Sequence, residues 1–103
     1  MIVINTTFHL PCPLRHEFTK WLKEHYVPKA LESGTVTEPS ILRVLGGSAE
    51  DPEGMNIACQ LKAATLHEAH RWHDTHGAEI RRDMHERWGQ KILFFSTYLE
   101  LVD

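Results

Sequence analysis

Two cysteines are all this chain contains. Cys12 and Cys59 are too few for a disulfide scaffold, and 103 residues can bury a core without one. Both are read as reduced thiols, which fits a cytoplasmic protein. No apolar stretch approaches the ~20 residues a membrane span needs, so no membrane partner is expected. The opening MIVINTTF has no basic region before a long apolar run, and it does not read as a signal peptide. No cluster of basic residues marks a nucleic-acid surface, and the net charge is −3. Internal repeats, low-complexity tracts and linkers are missing as well, which leaves a single domain over 1–103.

What is present is histidine. Five of the eight histidines fall in TLHEAHRWHDTHGAEIRRDMHERW, Thr65 to Trp88. Thr65 is a good N-cap and Glu68 sits where a capping box needs it. Leu66, Ala69, His73, Ile80 and Met84 recur at helical spacing, and Gly89 suits the position just past a helix end. Gly77 costs about 1 kcal/mol in a helix interior; it either splits the run or lets another backbone approach.

The rest alternates strands and helices. Residues 1–9 form a strand with Ile2, Ile4, Thr6 and Phe8 on one face and Val3, Asn5, Thr7 and His9 on the other. A helix follows Pro13, with Leu14, Phe18, Trp21, Leu22 and His25 on one side, and Pro28 disturbs it. Strands are expected over 35–45, 55–63 and 91–101. The order β-α-β-β-α-β is the ferredoxin-like split βαβ pattern, an α+β fold. Its antiparallel sheet carries both helices on one face and leaves the other bare. That bare face is expected to hold Val3, Ile41, Leu45 and Phe94 beside Asn5, Thr7, Arg43, Gln60, Ser96 and Tyr98. It is too apolar to leave in water, so a homodimer with facing sheets, a dimeric α/β barrel, is predicted.

Four stretches carry a likeness: INTTF (4–8), FTKWLKEHYVPKALESG (18–34), ILRVL (41–45) and HERWGQKILFFSTYLEL (85–101). Together they resemble a small bacterial domain-of-unknown-function family with the dimeric ferredoxin-like fold. The resemblance implies that fold over nearly the whole chain. It implies no reaction, no cofactor and no catalytic residues.

Several constellations remain as candidates. Asn5, Thr7, Arg43, Gln60, Ser96 and Tyr98, with His73, would make a pocket for a small anionic molecule, Arg43 supplying the charge. The same groups could instead bond one another across the interface. His67, His70, His73 and His76 wind around the helix at three-residue intervals, so only a neighbouring pair such as His73 and His76 could share a metal. A zinc-protease motif fails, because the position that needs its second histidine is Arg71. Asn5, Trp72 and His73 or His76 are the residue types of haem-degrading enzymes built on dimeric ferredoxin-like barrels, which also include cofactor-free monooxygenases. Cys12, between two prolines, is read as a turn residue rather than a nucleophile. Gly46-Gly47 precedes no helix and is not a phosphate loop. The sequon Asn5-Thr6-Thr7 sits in a strand and is read as chance. The tryptophans Trp21, Trp72 and Trp88 are read as packing residues.

Overall fold

The computed structural model describes residues 1–45 and 54–102; the segment 46–53, with Gly46-Gly47, lies outside them. The elements are β1 (Ile2–Pro11), α1 (Arg15–Trp21), a π segment (Leu22–Tyr26), α2 (Val27–Glu32), β2 (Val36–Arg43), β3 (Gly54–Ala63), α3 (Leu66–Asp74), α4 (His76–Trp88) and β4 (Leu93–Glu100). The strands form one antiparallel sheet in the order β2-β3-β1-β4. That is the ferredoxin-like arrangement.

Proline shapes the first helical run without ending it. Pro28 has no N–H and its ring would crowd the carbonyl one α-turn back. The chain widens just before it: Val27 N–H reaches Leu22 O, a π-type step that absorbs the misfit. The helices therefore continue to Glu32, and Phe18, Trp21, Leu22, Tyr26 and Ala30 all stay buried.

The histidine-rich run is two helices. Thr65 caps the first, its side chain accepting from Glu68 N at 3.1 Å. The break falls at Thr75 (φ −111°, ψ −86°), not at Gly77. The Thr75 hydroxyl donates back to Arg71 O at 2.7 Å, a bond that competes with helical propagation. Gly77 has the other role foreseen for it. A Cβ there would lie 2.8 Å from Arg81 Nη1, 3.1 Å from Trp72 Cζ3 and 3.3 Å from Trp72 O. The guanidinium can move, but the backbone oxygen cannot. Gly77→Ala should therefore destabilise by about 1 kcal/mol, overpacking outweighing the helix propensity that alanine adds. Urea melts check this; a stabilised Gly77→Ala would contradict the close approach.

The core lies between the sheet and the helices. Ile2, Ile4, Phe8 and Leu10 of β1 and Ile57, Cys59, Leu61 and Ala63 of β3 meet Phe18, Leu22, Tyr26, Trp72, Ile80 and Met84. Phe8, Phe18, Tyr26, Trp21 and Trp88 pack mostly edge to face, with centroids 5.1–5.9 Å apart. Burial pushes the Cys59 thiol up to about 12, so it packs as a small apolar group.

Two strands depart from the expected facing. Val36 is buried on the helix side, opposite Ala63. Simple alternation from it would put Ile41 and Arg43 on the bare face. Instead β2 has an extra residue between Thr37 and Ser40, with Glu38 at φ 51° ahead of Pro39. A bulge of one residue reverses every later side chain. Ile41 and Arg43 pair with Cys59 and Ile57 and turn to the helix side, and Leu42 takes the bare face. Leu45 lies past the strand's end. In β4, the register Thr6↔Ser96 places Phe94, Ser96 and Tyr98 on the helix side as well. The expected bare-face set is corrected accordingly: Val3, Asn5, Thr7 and Gln60 are there, whereas Ile41, Arg43, Phe94, Ser96 and Tyr98 are not.

Candidate functional site

The expected pocket residues thus divide between two faces. On the bare face, Gln60 Nε2 donates to Asn5 Oδ1 at 3.2 Å and Asn5 Nδ2 donates to Thr7 Oγ1 at 3.2 Å. The register explains the row: Asn5 stands opposite Gln60 on the two central strands. Nearer one end, His9 Nδ1 and Asn56 Oδ1 are 2.8 Å apart. Around these polar groups the face is apolar. Phe95 is 61% exposed, Leu93 60%, Leu99 44%, Val44 46% and Leu42 43%. The charge expected from Arg43 is missing there. Lys62 is the cation this face offers among the described residues, and its ammonium lies 3.4 Å from Glu38 Oε2.

On the helix face, His73, Ser96 and Tyr98 come together. His73 Nε2 lies 3.1 Å from Ser96 Oγ, which lies 3.2 Å from Thr6 Oγ1. Thr6 is itself buried, on the same side of β1 as Ile4 and Phe8. His73 Nδ1 is 3.3 Å from Asp74 Oδ1. Arg81 Nη2 donates to His73 O at 2.8 Å and its guanidinium lies over the Phe94 ring at 5.2 Å. The rings of His70 and Tyr98 approach to 4.3 Å. Carboxylate, imidazole and hydroxyl stand in the order that activates a serine. Asp74, however, is 75% exposed at its side chain, and Ser96 already shares its oxygen with Thr6. The row acts as a strut joining α3 to β1 and β4.

Burial, then the Arg81 charge, holds the His73 ring below the usual 6.5, with Asp74 pulling the other way. The ring is neutral at pH 7. Because the folded value is the lower one, the unfolded chain binds the extra proton first. Stability is complete above about pH 6.5 and falls as the pH drops toward the folded value. NMR titration should place His73 below 6.5, and His73→Asn should flatten the slope of stability with pH in that window. A midpoint at or above 6.5 would contradict this geometry.

The other candidate groups do not converge. Asn5 projects from the bare face, whereas Trp72 lies within the core and His73 on the helix side. The set expected for haem does not meet within one subunit. His76 Nδ1 is 3.3 Å from the Thr75 hydroxyl, and His73 turns to Ser96. Among the described residues there is no cluster of three or more metal-ligating side chains. Cys12 is exposed in the short turn Cys12–Leu14 ahead of α1.

Three residues that matter were not singled out from the sequence. Thr6 was read only as a core-facing strand position, yet it is buried and bonded to Ser96. Arg15 and Lys23 line a groove with Arg43, beside Ile41, Leu42, Met55 and Ile57. The bulge signal, Glu38-Pro39 inside a strand pattern, would have turned Arg43 toward them.

Sheet order, helix placement and the strut together define a ferredoxin-like α+β domain. Solved structures agree. An ethyl tert-butyl ether D (EthD) family protein from Bacillus halodurans is similar at TM-score 0.70 and 13% identity, over 99% of this chain and 100% of that one. HapK from Hahella chejuensis is similar at 0.68 and 10%, over 99% and 93%. A protein described as dimeric and ferredoxin-like, from an uncultured marine organism, is similar at 0.67 and 13%, over 100% and 96%. At these identities the likeness is one of fold. No curated protein matches the chain. The chain belongs to the family described as domain of unknown function DUF4286, which it matches over residues 1–102.

Proposed function

We propose that this protein works as a homodimer whose bare sheet faces meet, enclosing the Gln60–Asn5–Thr7 row at the centre of the interface. One observation carries the reading. Leu42 on one edge strand and Leu93, Phe95 and Leu99 on the other are exposed on a single face of a sheet whose other face is already covered. Exposed apolar side chains around a central polar row are the ordinary mark of an interaction surface. Two similar solved proteins are described as dimeric and ferredoxin-like, at TM-scores 0.67 and 0.58, which supports a twin as the occupant. A two-fold axis brings the same patch of each subunit together.

Within that enclosure the amide row keeps spare capacity. Among the described residues, Gln60 Oε1 has no donor, and one hydrogen each of Asn5 Nδ2 and Gln60 Nε2 has no acceptor. A small ligand carrying both a carbonyl and a donor would satisfy them, as would the twin's own row. Arg43 is the group that argued for an anion, and its place on the helix side favours a neutral polar ligand here instead. Sedimentation velocity at micromolar concentration tests the dimer, which should sediment as two subunits. A lone subunit would overturn both the dimer and the enclosed ligand space.

A further inference from the structure

The charge that the bare face lacks is gathered elsewhere. The groove named above, of about 240 Å³, runs between the first helix and β2. Its walls carry Arg15 from α1, Lys23 from the π segment and Arg43 from β2, with Thr19 between them. Its floor is Ile41, Met55 and Ile57, with Leu42 at the side. Ile57 is buried, and Ile41 and Met55 are partly buried against the core. Among the described residues, no carboxylate lines it and none of the three cations is in an ion pair.

That composition runs against the chain as a whole. Acidic residues outnumber Lys and Arg, 14 to 11, and ordinary surfaces mix the two signs. The neighbouring surface extends the same charge, with Lys20 beside Arg15 and Lys23, and Glu24 the acidic member. Three cations above an apolar floor ask for a ligand with the complementary halves. The volume is below the range of about 300–1,000 Å³ that holds drug-sized ligands, so the ligand is small.

We propose that this groove binds a small amphipathic carboxylate, its head held by Arg15, Lys23 and Arg43 and its hydrocarbon body lying on Ile41, Met55 and Ile57. Arg43 reaches the groove only because the Glu38–Pro39 bulge turns it there. Guanidinium groups hold carboxylates through paired N–H donors, and lysine adds a point charge. The site is built from one chain and does not rest on the dimer.

Octanoate is the probe, with octan-1-ol as its uncharged counterpart and inorganic phosphate as a charge without a tail. Each is titrated into the full chain and followed by amide NMR. Octanoate should shift Ile41, Met55 and Ile57 and bind at least about tenfold more tightly than octan-1-ol. Phosphate should bind more weakly than octanoate. The exposed pair Lys23→Met and Arg43→Met, verified as folded by circular dichroism, should bring octanoate down to the affinity of octan-1-ol. Equal binding of octanoate and octan-1-ol by the native chain would overturn the role of the cations. Phosphate binding as tightly as octanoate would overturn the role of the floor. Shifts elsewhere in the protein, or none at millimolar octanoate, would remove the site.

Discussion

A chain carrying Phe95→Asp should sediment as a single folded subunit under conditions where the native chain is a dimer. Phe95 is 61% exposed at the middle of β4, on the face without helices. Closing two such faces takes the ring out of water in both subunits at once. With aspartate there, the interface would have to bury two carboxylates among Leu93, Leu99 and Leu42. The cost of burying unpaired polar or charged groups makes ~4 kcal/mol for the pair a modest figure, and that is about a thousandfold in the dissociation constant. The fold should be unharmed, because Phe95 is largely exposed and lies on the face opposite the core cluster. Near-native melting with halved mass is therefore the expected pair of results. Phe94→Asp, one residue away, provides the contrast. Phe94 faces Arg81 on the other side, so this change should leave the assembly intact.

The second large effect concerns Trp72. It is 1% exposed and packs at the junction of α3, α4 and the sheet. Trp72→Ala should cost about 3–5 kcal/mol, a transfer loss plus a cavity that the surroundings only partly fill. A domain of this size holds only about 5–15 kcal/mol in total. Each kilocalorie shifts the midpoint by about 4–8 °C in domains of 60–100 residues, so the melt should move by tens of degrees. Trp72→Phe should be far milder. The Trp72 indole N–H is buried with no hydrogen-bond partner among the described residues. Phenylalanine removes that unsatisfied donor, which offsets part of the lost volume. Calorimetry of the two variants separates the terms. If Trp72→Phe were as damaging as Trp72→Ala, the orphaned donor would have no energetic weight.

The sequence made some of this visible and hid the rest for identifiable reasons. Period-two alternation in β1 and β3 marks both faces correctly, because neither strand is interrupted and Ile4, Phe8, Ile57 and Leu61 are plainly more apolar than their neighbours. The capping box at Thr65 and Glu68 is equally plain. Facing was ambiguous in β4, where Leu93, Phe95 and Leu99 alternate with Phe94 and Tyr98 and both sets are apolar. Only the pairing of Thr6 with Ser96 decides it. In β2 the pattern misled, since one bulged residue at Glu38–Pro39 reverses Ile41, Leu42 and Arg43. Both corrections act in one direction. They replace Phe94, Ser96 and Tyr98 on the bare face with Leu93, Phe95 and Leu99, and Ile41 and Arg43 with Leu42. The face that needs covering is greasier than the sequence alone suggested. The Gln60–Asn5–Thr7 row stayed legible because it spans only the two regular strands. His73 was legible as a histidine on the inner side of its helix. Its partners were not, because Ser96 and Thr6 come from strands distant in the chain.

The most direct test of the central claim maps the contact itself. A dimer mixed from isotope-labelled and unlabelled chains, examined by isotope-filtered NOE spectroscopy, reports only contacts between subunits. Cross-subunit signals should arise from Leu42, Leu93, Phe95 and Leu99, with none from the outer surfaces of α1 and α4. Signals confined to the helices, or no signal between subunits, would contradict the facing-sheet dimer.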